Sequence, residues 1–342
     1  MPELEPIRSP LPIDPRPAST RRSRTVPPLL RTATLIGLAF AAACGSRNEP
    51  PDPFERSALQ HQSISDRMAE RIAAADSAAT ARGEELTVGV SLVDLATDER
   101  IGLGQDVPMH AASTMKVPVL FELFRQAEQG RLSLDDQIVL RNRFRSILDG
   151  SEYSLTPEED SDSTLYALEG SRVRIRDLAD LMITRSSNLA TNVLIELVDP
   201  DSVRRTMARL NAQGMRVLRG VEDIPAYRAG LNNTTTAHGL ARVLEAIARC
   251  EMLSEASCRD ILAILERQEF RSGIPAGLPA GTRVANKTGW ITQISHDGAI
   301  VFPPNRQPYV LVVLTRGITD EAVADRLIAD LSRIVWQEVV SP

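Results

Sequence analysis

A chain of 342 residues exceeds one minimal domain and suits either one large domain or two. With 43% hydrophobic and 25% charged residues it has the mix of a soluble globular protein, and a formal charge of −6 argues against a nucleic-acid binder, which would carry a basic field. Three cysteines and four histidines are too few for a disulfide scaffold or a multi-zinc protein. Of the 39 basic residues only Lys116 and Lys287 are lysine.

Eleven of the 22 prolines fall between Pro2 and Pro53, a density incompatible with helix or sheet. Within that stretch Arg21, Arg22, Arg24 and Arg31 precede the apolar run Leu35–Ala43, and Cys44 follows. A basic flank, a short apolar segment and small residues before a cut site describe an export signal over residues 1–43. The run is far short of the ~20 residues a membrane-spanning helix needs. Cys44, after three alanines and before Gly45-Ser46, resembles a bacterial lipoprotein cleavage site, where the cysteine becomes the lipidated N-terminus. Simple cleavage after Ala43 is the alternative. Either way the expected location is the periplasm or cell envelope, with residues 44–60 as a disordered tether. Removing residues 1–43 takes away six arginines and three acids, which leaves a net charge of −9.

Ser63 to Ala79 places Ile64, Met68, Ile72 and Ala75 at helical spacing. Leu86–Leu92 alternates as a half-buried strand, and a turn at Ala96–Glu99 leads to a second strand near Ile101 and Leu103. From about Thr114 to Asn211 the period is mostly helical, with Gly130 and Gly214 as stops. The acidic stretch Glu158-Glu159-Asp160-Ser161-Asp162 interrupts it and reads as a solvated loop, with a cation site as the lesser alternative. Helices over Thr236–Arg249 and Cys258–Gln268 follow, then strands at Arg283–Lys287, Gly298–Phe302 and Tyr309–Thr315, then an amphipathic C-terminal helix. The order predicts an α+β fold: one antiparallel five-stranded sheet closed by both ends of the chain and flanked by helices, with an inserted all-helical lobe. The expected lobes are 61–112 plus 235–340 for the sheet and 113–234 for the helices, with a ligand cleft between them. Cys250 and Cys258 bracket a turn and either pair in an oxidising compartment or remain half-buried thiols.

Zinc-protease, paired C-x-x-C, dinucleotide, P-loop and G-x-S-x-G signatures are all missing from the sequence. Three other pieces stand in order. Ser113-Thr114-Met115-Lys116 opens a helix, with the amine one turn beyond the hydroxyl on the same face. A serine is a poor nucleophile until something takes its proton. A lysine can do so only when desolvation or a second cation depresses its pKa, and arginine cannot do so at all. Ser186-Ser187-Asn188 breaks two apolar helices and offers a hydroxyl for proton relay and an amide for anchoring. Lys287-Thr288-Gly289-Trp290 ends a strand with a cation and hydroxyl for a carboxylate, and a glycine that admits substrate close to the backbone. Any lysine has roughly a 7% chance of a serine three residues before it, so one motif alone is weak. An arginine-rich chain that keeps lysine only in the two slots requiring it makes the combination strong.

These motifs make the chain resemble the serine β-lactamase and penicillin-binding protein superfamily, most closely the class A β-lactamases, from about residue 62 to 338. The resemblance implies a β-lactamase/transpeptidase-like fold and a catalytic domain over 61–340. It makes Ser113 the acylated nucleophile, Lys116 its proton partner and Ser186 the donor to the leaving nitrogen. Asn188 would hold the substrate amide, and Lys287 and Thr288 its carboxylate. The backbone N–H groups of Ser113 and Trp290 would form the oxyanion hole. No metal or cofactor is implied. The expected partner is a small β-lactam or peptidoglycan-like molecule, with the membrane touched only through a lipid on Cys44 and the chain acting as a monomer.

Two positions depart from the class A pattern. Ser187 replaces an aspartate, and Leu231-Asn232 is present while Arg228 stands where the glutamate that activates the deacylating water belongs. Glu222, or Asp223 beside it, is then the acid left to serve that water. Without such an acid the protein would be a D,D-peptidase or esterase on peptidoglycan-like substrates, or a penicillin-binding sensor acylated once.

Overall fold

The computed structural model describes residues 53–340, with side chains from Ser63, so the export signal and Cys44 lie outside the described residues. Helix α1 (Pro53–Ala81) starts earlier than expected, so positions 53–60 of the predicted tether are helical. Proline is well suited to a first helical position, where its missing N–H has no intrahelical partner to lose.

Strands β1 (Thr87–Asp94) and β2 (Arg100–Leu103) follow, then a 3₁₀ turn, Ala112–Met115, running directly into helix α2 (Lys116–Glu128). Next come α3 (Ile175–Thr184), α4 (Asn188–Val198), α5 (Pro200–Arg209), the short α6 (Ile224–Arg228), α7 (Ala237–Ala248) and α8 (Glu255–Glu266). Strands β3 (Arg283–Ile291), β4 (Ile294–Phe302) and β5 (Tyr309–Arg316) lead to the terminal helix α9 (Glu321–Val340). The sheet runs β2-β1-β5-β4-β3 with every neighbour antiparallel, as the order of elements predicts. Both chain ends meet at its centre, where Val90 faces Val313.

Both faces of the sheet are covered, so β5 reads as a near-continuous apolar run and β1, expected to be half-buried, is buried from Gly89 to Val93. Val310, Val312 and Leu314 of β5 join one core with α2, α3, α4, α7 and α8. Tyr309, Leu311 and Val313 join the other, packed against Ile64 and Met68 of α1 and Leu327, Ile328 and Leu331 of α9. Alternation along one strand thus assigns each residue to one core. Helices α7 and α8 share the larger core with the middle helices, so 235–266 packs with both predicted lobes rather than with the sheet alone.

The region 129–174 differs from the all-helical expectation. Residues 137–139 pair with 172–174, residues 144–145 pair with 152–153, and only single 3₁₀ turns occur between. Gly130, Gly150 and Gly170 all take positive φ, and Pro157 opens one of the turns, so continuous helix is interrupted at each. The apolar spacing there serves loops folded onto the larger core through Leu140, Phe144, Leu155 and Leu165.

Candidate active site

The turn bearing Ser113 is held from two sides. Residues Met109–His110 pair with Thr234–Thr235, and the Ala111 N–H donates to the Asn233 carbonyl at 2.9 Å. Ala112 adopts φ +44°, a left-handed conformation an alanine disfavours. Helix α2 then enters the core with Val117, Val119, Leu120 and Phe121 fully buried, and this carries Lys116 out of solvent completely. The Lys116 amine donates to the Ser186 carbonyl at 2.7 Å, Ser186 Oγ at 3.1 Å and Asn188 Oδ1 at 2.9 Å. Burial lowers its pKa from 10.5 to about 7, against the attraction of Asp160 and Glu222.

Ser186 sits between α3 and α4 at φ +58°, which aims its hydroxyl into the cleft. The Lys287 amine donates to the same Ser186 Oγ at 3.1 Å and to the Thr288 carbonyl at 2.8 Å, so one hydroxyl lies between two buried amines. Burial and then repulsion from Lys116 push the Lys287 pKa well below the ordinary lysine value, opposed by Asp297. Lys116 is depressed by burial rather than by its twin, whereas for Lys287 both contribute. Asp297, paired with Thr288 across β3–β4, is itself pushed up to about 6 by burial.

Gly289 lets β3 pass against the turn. A Cβ there would lie 3.0 Å from the Ser113 and Thr114 nitrogens, tight enough that the turn and strand would have to separate by a few tenths of an ångström. Ser113, Ser161, Ser186, Thr288, Gly289 and Trp290 line one cleft, with Trp290 and Phe270 exposed at its rim.

The acidic stretch is solvated at Glu158, Glu159 and Ser161, as expected, but not at Asp160 and Asp162, which turn inward. Asp160 accepts the N–H groups of Asn188 (2.8 Å) and Leu189 (2.9 Å) and the Tyr166 hydroxyl (3.0 Å), and Asp162 is buried. A carboxylate at the start of α4 satisfies N–H groups that a helix leaves free. Ser187 is buried and its Oγ accepts the Ala190 N–H at 3.3 Å, so the serine in the aspartate slot also caps the helix. Asp160→Asn is expected to destabilise the fold by about 1 kcal/mol in urea denaturation, the usual scale of a lost cap. It should also lower the Lys116 pKa further, because Asp160 favours the ammonium. With only two lysines in the chain, ¹³Cε-lysine labelling reads each titration separately. An unmoved Lys116 titration would remove Asp160 from the site's electrostatics.

The loop from Leu218 to Asn233 closes on Arg219, which donates Nε to the Leu231 carbonyl at 2.9 Å and Nη2 to Asn232 Oδ1 at 3.0 Å. Leu231-Asn232 therefore sits at the neck of the loop. Arg228 ends α6 and is exposed. Asn192, one turn beyond Asn188 on α4, grips the loop by accepting the Val221 N–H (2.7 Å) and donating to the Val221 carbonyl (3.0 Å). Its i, i+4 offset from Asn188 was the available sequence signal. Glu222 follows at φ +61°, half-buried, with burial raising its pKa and its field reaching Lys116. Asp223 is fully buried and engaged, accepting the Ile147 N–H at 2.9 Å and the Ala226 N–H at 3.2 Å. Of the two acids, Glu222 is the one whose charge acts on Lys116.

A family model described as the β-lactamase enzyme family matches residues 67–339. The chain belongs to that family. Among β-lactamase relatives, the enzyme of Bacillus licheniformis is 26% identical over 256 residues, covering 73% of this chain and 78% of its own. The β-lactamase of Sphaerobacter thermophilus superposes with a TM-score of 0.67 at 28% identity, over 80% of this chain and 98% of that one. PBP-A superposes with a TM-score of 0.66 at 26% identity, over 82% and 96%, and a variant of PBP-A is known as an acyl-enzyme complex with penicillin G. The β-lactamase fold here carries Cys250 and Cys258 as neighbouring free thiols, Cys258 buried. Among the described residues no helix is long and apolar enough to cross a membrane.

Proposed function

We propose that this protein is an exported serine hydrolase that opens β-lactam rings through an ester on Ser113. The observation that carries the reading is a single hydroxyl, Ser186 Oγ, 3.1 Å from each of two buried amines in the cleft that holds Ser113. Lys116, one turn along from Ser113, is neutral at a useful fraction near pH 7 and takes the Ser113 proton as Oγ attacks the lactam carbonyl. The N–H groups of Ser113 and Trp290 receive the oxyanion, brought together because Gly289 carries no side chain. Ser186 passes a proton to the ring nitrogen as the C–N bond breaks and the ester forms. Thr288 and Lys287 hold the substrate carboxylate, and Asn188 its amide. The arriving anion favours charge on Lys287, whose repulsion then favours a neutral Lys116. Glu222 takes a proton from water as its oxygen attacks the ester carbonyl, the C–O bond to Ser113 breaks, and the proton passes on to Ser113 Oγ, so one water is consumed per ring opened and both groups are restored.

Incubation with a chromogenic cephalosporin, followed by mass spectrometry, tests this. Continuous turnover with a transient Ser113 adduct is expected, and Ser113→Ala should remove both adduct and turnover. A stoichiometric burst followed by silence would instead favour a D,D-peptidase or acylated sensor, the reading that the likeness to PBP-A and its penicillin adduct supports. No adduct at all would sink both. The arginine-flanked apolar run ending at Cys44 supports export with a lipid anchor. Cys44→Ala should then move the protein from the membrane to the soluble fraction, and unchanged partitioning would refute the anchor.

A further inference from the structure

Two histidines that the chemistry above does not use, His110 and His296, lie directly under the Ser113 turn. The Ala112 N–H donates to His110 Nδ1 at 3.0 Å. A main-chain N–H can only donate, so Nδ1 is the bare nitrogen and the ring proton sits on Nε2. Among the described residues that Nε2 is buried with no hydrogen-bond partner. The one hydrogen bond of this ring therefore goes to the residue held at φ +44° beside Ser113.

His296 supports the same turn from the sheet. It lies on β4 opposite Gly289, fully buried, with Nε2 3.0 Å from the His110 carbonyl oxygen. Its Nδ1 lies 3.2 Å from the Thr315 N–H and 2.9 Å from the Ser295 carbonyl. A proton on Nε2 donates to the His110 carbonyl while Nδ1 accepts from the Thr315 N–H, at the cost of setting Nδ1 against the Ser295 carbonyl oxygen. A proton on Nδ1 would set two acceptors against each other at Nε2.

We propose that His110 and His296 are positioning residues, a two-imidazole strut that connects β5 through β4 to the Ala112 N–H and so sets the direction of the Ser113 N–H and hydroxyl. The strut works only with His110 neutral, since a proton on its Nδ1 would face the Ala112 N–H, and with a proton on Nε2 of His296. Burial keeps both rings uncharged at neutral pH, with the Arg219 guanidinium acting in the same direction on His110. The edge-on Tyr227 ring closes the other side of His110. Leucine at 110 would fill the volume and leave the inward N–H of Ala112 without an acceptor. Asparagine would return an acceptor oxygen near the Nδ1 position.

The consequence for catalysis rests on the proposed role of Ser113, so the test has two independent arms. In the wild-type protein, long-range ¹H–¹⁵N spectra should show the Nε2–H tautomer for both histidines, and the Ala112 amide should exchange slowly. In His110→Leu that amide should exchange at least tenfold faster, with His110→Asn restoring most of the protection. In the second arm the rate constant for acylation by a penicillin should fall about 10²-fold in His110→Leu, the scale of one mispositioned oxyanion donor, and recover in His110→Asn. A wild-type Nδ1–H tautomer at His110, unchanged Ala112 exchange in the leucine variant, or acylation of that variant at the wild-type rate would each overturn the strut. A wild-type protein that no β-lactam acylates would overturn the proposed function instead, and the strut would still be decided by the spectra. Should the leucine variant fail to fold, the wild-type tautomers and the asparagine variant decide.

Discussion

Arginine at position 116 should stop acylation of Ser113. Lys116 is fully buried and its pKa has fallen to about 7, so it can give up its proton and take another. Arginine stays protonated at any working pH, and it would also place a larger cation between Ser186 and Asn188. A positioned general base contributes about 10²–10⁴-fold, so the burst rate in quenched-flow mass spectrometry should fall by about 10³-fold. Lys116→Met, which keeps the length and removes the charge, separates the loss of the base from the strain of the guanidinium and should fall similarly. In the wild type the neutral amine is the active form, so acylation should rise through about pH 7 and level off above it. The same shift acts on stability. Between pH 7 and about 10.5 the unfolded chain holds a proton on this lysine that the folded chain has released, so the fold gains stability as pH rises across that window. A Lys116→Met protein that acylates at the wild-type rate would end the assignment.

Glu222→Gln should keep the acylation burst and lose turnover. Acylation needs the hydroxyl, its base and the oxyanion donors, whereas release of the ester needs an activated water. The Asn192 clamp on Val221 fixes the loop immediately before Glu222, and both oxygens of Asp223 are taken by backbone N–H groups. Asp223 is therefore not free to substitute. Turnover should fall by about 10²–10⁴-fold, with a Ser113 adduct accumulating to one per chain. Burial raises the Glu222 pKa above 4.5, so wild-type deacylation should decline with acid at a higher pH than a free glutamate would cause. Full turnover by the glutamine variant would return the role to another group.

Some of this was readable before any coordinates. The two lysines identified themselves because arginine fills every other basic position, and the offset from Ser113 to Lys116 is a property of one helical turn. Tyr309–Thr315 showed as an apolar run because both faces of the sheet are covered, whereas Leu86–Leu92, read as alternating and half-buried, is buried on both faces through its small residues. The order of the strands was enough to predict antiparallel closure by both ends. The region 129–174 was misread as helical because apolar side chains anchoring loops to a core can fall at helical spacing by coincidence. Leu231-Asn232 left the place of the acid open for a related reason: a short pattern carries no record of how long the loop before it is. Asp160 left no local signal whatever. It stands 28 residues from the Asn188 N–H it accepts, and a run of acids is most often solvent-facing.

From the residues alone came the kinds of chemical group available, their short-range offsets and the periodicity of the elements, since these depend only on covalent neighbours and on the geometry of helix and strand. The state of those groups was decided in three dimensions. Whether an amine is neutral near pH 7 depends on how thoroughly water is excluded and which charges lie within a few ångströms. For Lys116 those neighbours come from the α3–α4 break, the 158–162 loop and the Glu222 loop, segments far apart in the chain that only the packed core brings together.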